Sequence, residues 1–269
     1  MRLINTFTLE IKEHNEEVGV PPYAILSHRW GQNEVTFHGY KEALRTRDQR
    51  AMNIEGFKKI VKFCEIAREK AGVQWAWVDT CCIDKRTDIV ELADAIKNMF
   101  KWYARARTCI AYLDDITTSS NKKVKNSKWW TRGWTLQELI APKALIFYNR
   151  AWDPIGSKLE LASLIRNEFR IPEDVLTDQN AFKRYPHSVR LSWAAQRETT
   201  MIEDRAYSLL GLCQISMDMR YGERQEAFQR LQLEILRTVP GESILAWEVP
   251  VNRSQVTNSG VLARSPENF

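Results

Sequence analysis

The chain has 269 residues, of which 44% are hydrophobic and 27% are charged, and its formal net charge is +5 at pH 7. This length fits one large domain, and the composition is typical of a soluble globular protein. No segment approaches the roughly 20 apolar residues of a membrane span, and the N-terminus lacks the apolar region of a signal peptide. We therefore expect a cytoplasmic protein that does not contact membranes, and its dispersed basic residues argue against nucleic-acid binding.

The cysteines do not form a zinc-binding pattern. They are Cys64, Cys81, Cys82, Cys109 and Cys213, and no two of them make a C-x-x-C pair. Zinc takes about four suitably spaced ligands, and the four histidines do not supply the missing ones. We expect no metal site, and we expect reduced, mostly buried thiols without a nucleophilic role.

Short apolar runs alternate with amphipathic segments through the first half of the chain. The apolar runs predict four strands, over residues 23–27, 74–79, 108–113 and 143–148. Strands that alternate with helices indicate β-α-β units with right-handed crossovers. The sequence therefore predicts an α/β fold with a parallel sheet flanked by helices.

Helical periodicity continues to the end of the chain. It predicts helices over residues 53–70, 88–105, 157–169, 203–211 and 224–238, and over a Trp-rich segment that ends at about Ile140. Asn53 is expected to cap the first of these helices, and Pro142 is expected to stop the Trp-rich one. Residues 117–128 are predicted to form a polar loop.

No Gly-rich or Ser-rich linker separates the two halves of the chain. Residues 1–269 are therefore predicted to form a single domain. Its α/β core spans about residues 20–150, and a mostly helical extension over about residues 151–269 is predicted to pack on the sheet.

Polar residues follow three of the predicted strands. They are Ser27-His28-Arg29-Trp30-Gly31, then Asp79-Thr80-Cys81-Cys82-Ile83-Asp84-Lys85, then Asp114-Asp115. Ligands of parallel sheets bind beyond the carboxyl ends of the strands, so we expect these groups to gather at a binding edge. Neither a P-loop nor a G-x-G-x-x-G motif is present, so phosphate binding by those motifs is not indicated.

The segment from Trp129 to Leu139 reads W-W-T-R-G-W-T-L-Q-E-L and places three tryptophans and Arg132 within two turns of Glu138. One interpretation is a hydrophobic lid, since tryptophan is usually buried. The other is a pocket with an aromatic wall and one acid, which suits a flat, charged ligand such as a nucleotide. Composition favours the lid, and the polar strand ends favour the pocket. In both cases Trp129 and Trp130 are expected to be packing residues.

Several motifs together resemble the HET domain of fungal heterokaryon-incompatibility proteins. They are P-Y-A-I-L-S-H-R-W-G at 22–31, W-V-D-T-C-C-I-D-K at 77–85, R-G-W-T-L-Q-E-L at 132–139, E-D-R-A-Y-S-L-L-G at 203–211, Y-G-E at 221–223 and L-A-R-S-P-E-N-F at 262–269. They cover nearly the whole chain in order. Many members of the family carry Thr at the position of Arg29.

The resemblance implies a fold, a reaction and a biological role. The HET domain is distantly similar to the TIR domain, which has a flavodoxin-like parallel sheet. Some TIR domains cleave NAD with a glutamate in a W-x-x-x-E setting on the helix after the third strand. Trp134 and Glu138 have this spacing, so the resemblance makes Glu138 the candidate catalytic carboxylate. HET proteins trigger cell death when allorecognition partners meet, and TIR-like modules act as oligomers.

With NAD as the substrate and no separate cofactor, the chemistry assigns further roles. Cleavage passes through an oxocarbenium-like transition state, which a carboxylate stabilises. The rings of Trp30 or Trp134 would hold the pyridinium, and Arg29 and Arg132 would bind the pyrophosphate. The predicted binding set is completed at the sheet edge by Ser27, His28, Asp79, Thr80 and Cys82.

Two other interpretations stay open, because a fold does not fix a function. One is a non-catalytic module that signals cell death by homotypic assembly, and the other is a nucleotide sensor that binds without cleaving. Both the enzyme and the non-catalytic module are expected to act as homo-oligomers. An upstream allorecognition or NLR-like protein is a candidate partner.

Overall fold

The computed structural model describes residues 1–85, 89–117, 121–238, 243–248 and 261–269. Its strands are β1 (Arg2–Asn5), β2 (Ile11–Glu13), β3 (Tyr23–His28), β4 (Trp75–Trp77), β5 (Thr108–Tyr112), β6 (Leu145–Tyr148) and β7 (Pro154–Ser157). They form one seven-stranded sheet in the order β2-β1-β4-β3-β5-β6-β7. Strand β3 pairs in parallel with β4 and β5, and β5 pairs in parallel with β6. Strands β1, β2 and β7 pair only antiparallel.

The four predicted strands are confirmed as β3, β4, β5 and β6, and their parallel pairing is confirmed as well. The sheet as a whole is mixed, so the prediction of a parallel sheet is wrong at its edges. The edge strands carry weak signals: β2 has three residues, and β7 contains Pro154 and Gly156, which strands disfavour. Counted along the chain, the parallel strands have the spatial order 2-1-3-4, and the order switches between β3 and β5.

Strand β3 lies at the centre of the sheet, and all six of its residues are buried. A strand covered on both faces is a continuous apolar run, which is why 23–27 was recognisable from the sequence. Two tyrosine hydroxyls tie it down. Tyr23 donates to the carbonyl of Trp102 at 2.6 Å, and Tyr103 donates to the carbonyl of Leu26 at 3.0 Å.

The first half of the chain contains two long helices and several short ones. They are α1 (Phe37–Thr46), α2 (Gln49–Met52), α3 (Glu55–Ala71), α4 (Asp79–Cys82), α5 (Ile89–Arg105), α6 (Asn121–Val124) and α7 (Thr135–Ile140). The predicted helices over 53–70 and 88–105 are confirmed as α3 and α5, although Asp88 lies outside the described residues. Asn53 does not cap α3, because it ends the separate helix α2 and Ile54 precedes α3 instead.

Two other boundaries differ from the sequence analysis. The Trp-rich segment becomes helical only at Thr135, because residues 129–131 form turns, and α7 then ends at Ile140 as predicted. The predicted polar loop over 117–128 contains the helical turn α6, and its residues 118–120 lie outside the described part of the chain.

The second half of the chain is mostly helical, as predicted. Its helices are α8 (Ala162–Phe169), α9 (Glu173–Thr177), α10 (His187–Ser192), α11 (Asp204–Tyr207), α12 (Leu210–Cys213) and α13 (Glu226–Thr238), with 3-10 turns at Ala181–Arg184, Ser243–Leu245 and Pro266–Asn268. The predicted helix over 157–169 starts too early, because Ser157 is the last residue of β7. The predicted helix over 203–211 is divided into α11 and α12.

The chain divides into two compact units. The first comprises Met1–Ala95, Trp102–Ser119 and Pro142–Lys158, and it contains the whole sheet. The second comprises Ile96–Lys101, Ser120–Ala141 and Leu159–Phe269, and it contains α7 and the helices that follow β7.

Trp129, Trp130 and the five cysteines are core residues. Trp129 and Trp130 are each 1% exposed, and the ring of Trp130 stacks on Phe169 at 4.6 Å, so their predicted packing role is confirmed. All five cysteines are free and buried, as predicted. Burial raises the pKa of Cys64 and Cys213 to about 12, which keeps these thiols protonated. Among the described residues, no helix has the length and apolarity that a membrane crossing requires.

A close backbone contact positions α3 against the loop after β3. The amide of Gly56 donates to the carbonyl of Asn33 at 3.2 Å. A Cβ at Gly56 would collide with that carbonyl oxygen and would lie 3.0 Å from the Cα of Glu34. We therefore expect Gly56→Ala to lower the free energy of unfolding by about 1–3 kcal/mol, measured by urea denaturation.

Gly39→Ala is the matched control for this substitution. A Cβ at Gly39, in the exposed first turn of α1, meets only ordinary contacts with side chains. Alanine favours the helix by up to about 1 kcal/mol over glycine, so the control should be neutral or more stable. Equal unfolding midpoints for the two variants would show that the Gly56 contact is not constrained.

Candidate functional site

The carboxyl end of β3 places one imidazole between two carboxylates. His28 is the last residue of β3, and its side chain is 1% exposed. Its Nε2 lies 3.6 Å from Glu34 Oε2, and its Nδ1 lies 3.8 Å from Asp79 Oδ1. Neither ring nitrogen has a hydrogen-bond partner among the described residues. The His28 imidazole can relay a proton between the two acids only if a water or ligand atom bridges each of these distances.

Glu34 is held by more than His28. It accepts a hydrogen bond from the Gly31 amide at 2.8 Å and forms an ion pair with Lys59. Burial favours the neutral acid, but His28, Lys59 and the Gly31 amide outweigh burial and lower the pKa of Glu34 to about 2. Glu34 was not among the residues predicted from the sequence, since it lies in a polar loop six residues beyond the strand.

Asp79 is the first residue of α4 rather than the end of a strand. It accepts a hydrogen bond from the indole nitrogen of Trp30 at 2.7 Å, and Lys85 Nζ lies 3.4 Å from the same carboxylate. Burial acts to raise the pKa of Asp79, but Lys85, His28 and Trp30 outweigh it, so the pKa is lowered. The ammonium of Lys85 also lies 3.7 Å above the Trp30 ring, so one cation already uses the face assigned to a pyridinium.

An ion pair joins the ends of the two strands at which the strand order switches. Arg29 Nη2 lies 3.3 Å from Asp114 Oδ2, and Arg29 Nε is buried without a hydrogen-bond partner. The structure therefore brings together polar residues after β3, β4 and β5, as the sequence predicted. Their contact with a substrate stays a prediction.

Three other predicted binding residues are almost completely buried. Ser27 lies within β3, and Thr80 and Cys82 lie in α4. The Cys82 sulfur accepts a weak hydrogen bond from the Val78 amide at 3.5 Å, whereas Thr80 Oγ1 has no partner among the described residues. Side chains with so little exposed surface support the loop around a ligand better than they contact the ligand itself.

The second unit holds the predicted catalytic carboxylate. Glu138 lies on α7, of which every residue is buried, and is itself 7% exposed. Trp134 precedes the helix, and its indole nitrogen donates to Asp204 Oδ2 at 3.0 Å. Tyr221 donates its hydroxyl to the other oxygen of Asp204 at 2.9 Å. Burial raises the pKa of Asp204 despite these two donors.

A buried guanidinium supports the same helix. Arg197 donates to the carbonyl of Arg132 at 3.0 Å and to Thr135 Oγ1 at 2.9 Å. Burial lowers the pKa of Arg197 to about 9, and the negative charge of Glu138 opposes that change. Its Nη2 has no hydrogen-bond partner among the described residues. The side chain of Arg132 donates to Thr200 Oγ1 at 2.8 Å.

The motifs at 203–211 and 221–223 complete this network. Glu203 accepts hydrogen bonds from the amides of Gly222 and Arg224 at 2.8 and 3.0 Å. Tyr207 donates its hydroxyl to Glu223 at 2.7 Å. Neither Asp204 nor Arg197 was among the site residues predicted from the sequence. The available signal was the pair of adjacent acids Glu203 and Asp204 just before the apolar residues Leu209 and Leu210, because acids that become buried require hydrogen-bond donors.

The donor sets do not suggest a metal centre. Among the described residues, no group of three or more His, Cys, Asp or Glu side chains is arranged to hold a metal ion.

The low pKa of Glu34 makes a pH-dependent contribution to stability. A carboxyl whose pKa is about 2 in the folded chain, against an ordinary value of 4.5, stabilises the fold above pH 4.5. This contribution is lost as the pH falls from about 4.5 to 2. We expect Glu34→Gln to reduce stability by about 2 kcal/mol at pH 7 and to flatten the stability profile below pH 4.5.

Urea denaturation at pH values from 7 to 3 measures this effect. Glu69→Gln is the matched control, since Glu69 is an exposed carboxylate of α3. Parallel pH profiles for wild type and Glu34→Gln would contradict the prediction.

Comparison with known proteins gives two family matches and one relative. Residues 23–125 match the family described as "Heterokaryon incompatibility protein (HET)", and residues 226–267 match one described as "Domain of unknown function (DUF8212)". The chain is 39% identical over 226 residues to the "Vegetative incompatibility protein HET-E-1" of Podospora anserina. That alignment covers 80% of this chain but 16% of the relative. No solved structure matches the chain.

The HET match begins at the first residue of β3 and extends beyond β5. It therefore includes His28, Glu34, Asp79 and the Arg29–Asp114 ion pair, whereas Glu138 follows the matched range. The resemblance carried by the sequence motifs is confirmed by this match and by the identity to the incompatibility protein. Residues 23–125 of the chain therefore belong to the heterokaryon incompatibility (HET) family.

Proposed function

We propose that this HET domain acts in heterokaryon incompatibility as a cytoplasmic cell-death effector that cleaves NAD. The allorecognition role is supported by the relative named as a vegetative incompatibility protein, of which the chain matches one part. The observation that carries the cleavage is the Trp134–Glu138 pair, which lies at W-x-x-x-E spacing in a buried polar network. The 2-1-3-4 order of the parallel strands agrees with a flavodoxin-like, TIR-like sheet.

The proposed reaction breaks the bond between the ribose C1′ and the nicotinamide nitrogen. The bonding electron pair leaves with nicotinamide, which departs as a neutral molecule, and positive charge develops on the ribose. Water then attacks C1′ and loses a proton, which gives ADP-ribose. The reaction needs one anion beside the ribose, and Glu138 has that role in our proposal.

The surroundings of Glu138 suit electrostatic stabilisation of this transition state. Its burial lowers the effective dielectric, so its attraction to a developing cation is stronger than in water. Arg197 fixes the start of α7 through the Arg132 carbonyl and Thr135. A charge held in place does not have to reorganise as the reaction proceeds.

Trp134 is the proposed contact for the nicotinamide ring, and Asp204 is its positioning residue. The Trp134–Asp204 hydrogen bond restricts rotation of the indole, and Tyr221 holds the carboxylate from its other side. His28, Arg29, Asp79 and Arg132 keep the binding roles predicted from the sequence. Ser27, Thr80 and Cys82 have a supporting role instead, because they are almost completely buried, and Trp30 has no ring contact in the proposal, because Lys85 lies over its ring. The proposal also keeps self-association and an upstream allorecognition or NLR-like partner.

A second candidate function is a non-catalytic module that signals by homotypic assembly. The observation that favours it is the burial of every residue of α7. There the negative charge of Glu138 and the positive charge of Arg197 attract one another. A buried pair of opposite charges can serve the fold alone. This alternative predicts that no nicotinamide is released from NAD at any protein concentration.

The two functions are separated by Glu138→Gln. We expect concentrated wild-type protein, with and without a crowding agent, to release nicotinamide from NAD. The released nicotinamide is measured by chromatography. The variant should release it about a hundredfold more slowly or not at all, because the anion that stabilises the ribose cation is gone. Glu168→Gln is the matched control, since Glu168 is an exposed acid of the same unit that pairs with Lys125.

Circular dichroism and sedimentation establish that each variant is folded and assembled to the same extent. Release by Glu138→Gln at the wild-type rate would remove Glu138 from the proposal. No release by folded, assembled wild type would favour the non-catalytic module.

A further inference from the structure

A cleft of about 510 Å³ opens at the carboxyl ends of β3 and β5 in the first unit. This is the point at which the order of the parallel strands switches, where open α/β sheets bind their ligands. The volume lies within the range of small-molecule sites. Its lining includes the loop after β3, the start of α3 and the turn after β6.

The cleft has an excess of positive charge. Five cations line it, namely Arg29, Lys58, Lys59, Lys62 and Arg150, against the three carboxylates Glu34, Glu55 and Asp114. Two of the carboxylates already form ion pairs with Lys59 and Arg29. Among the described residues, neither Lys58 nor Arg150 has an ion-pair partner, and Arg29 Nε is buried without a hydrogen bond. These donors favour an anionic ligand.

The same cleft has an aromatic side. Trp152 and Tyr112 line it, and their rings stack with centroids 4.3 Å apart and planes 22° apart. Tyr112 also donates its hydroxyl to the Arg150 carbonyl at 3.1 Å, which ties the turn to β5. The ring of Trp152 is therefore held in one orientation beside the cations.

The backbone of Trp152 has an unusual conformation. Its φ is +64°, which is a genuine outlier for a large side chain. The turn is maintained by Asn149, whose side-chain oxygen accepts hydrogen bonds from the amides of Ala151 and Asp153, both at 2.9 Å. Strain that is retained by the surrounding hydrogen bonds is typical of ligand-binding positions.

We propose that this cleft binds a phosphorylated nucleotide, with its base against Trp152 and its phosphates at Lys58, Arg150 and Arg29. The aromatic ring matches the base of such a ligand, and the cations match its phosphates. A base alone would not contact the cations, and a phosphate alone would not stack on the ring. The inference extends the proposed function by assigning a nucleotide site, but it does not depend on NAD cleavage.

Isothermal titration with ADP, inorganic pyrophosphate and adenosine tests the site. We expect wild type to bind ADP more tightly than pyrophosphate, and pyrophosphate more tightly than adenosine, with binding that weakens as salt increases. Lys58→Gln and Arg150→Gln should each weaken ADP binding about tenfold. Both side chains are exposed, so neither change threatens the fold. Lys70→Gln, an equal charge change on the same helix outside the cleft, should leave binding unchanged.

Trp152→Asn tests the aromatic contact. Asparagine tolerates a positive φ, so this variant removes the ring without imposing new backbone strain. It should weaken ADP binding about tenfold and leave pyrophosphate binding unchanged. Glu138→Gln should bind ADP as wild type does, which separates failure of this site from failure of the glycohydrolase.

Three results would overturn the inference. The first is no ADP binding by folded wild type. The second is equal weakening by Lys70→Gln and Lys58→Gln, which would indicate attraction to net charge alone. The third is pyrophosphate binding as tight as ADP binding together with an unchanged Trp152→Asn variant, which would leave no role for a base.

Discussion

The sheet edge depends on holding a buried histidine between two partly buried carboxylates at the end of the central strand. Removing such groups from water costs several kcal/mol for each charge unless partners replace the water. Each of the two acids beside His28 has a cationic partner. Lys59 pairs with Glu34, and Lys85 pairs with Asp79. The loop after β3 therefore has little freedom, because its backbone and side chains supply the bonds that keep these charges buried.

The same constraint organises the second unit, with different residues. Arg197 is a buried cation whose Nη1 donates to the start of α7, and Asp204 is a buried acid whose two oxygens accept from Trp134 and Tyr221. In both units a polar side chain near a helix start or strand end is fixed by a residue far away in the sequence. Positional precision of this kind is what binding and catalysis require, and here it joins motifs from widely separated segments of the chain.

Elements with a strong local pattern could be predicted from the sequence, and long-range partners could not. Strand β3 and helix α3 follow from an apolar run and a 3.6-residue period, which are visible within 6 to 17 residues. Trp134 and Asp204 are 70 residues apart, so nothing local connects them. Strand β7 was not predicted because Pro154 and Gly156 have a low propensity for strands. Antiparallel pairing with β6 overrides that low propensity.

Burial of Glu138 supports both candidate functions, because low dielectric strengthens its attraction to Arg197 and to a ribose cation alike. The two functions differ in what the charge does to stability. A buried ion pair is often no more stabilising than a neutral pair of the same shape, so packing alone gives little reason to keep a carboxylate there. Residues kept for chemistry commonly reduce stability. If replacement of Glu138 by the neutral amide left stability unchanged, packing would not explain the carboxylate, and the proposed chemistry would.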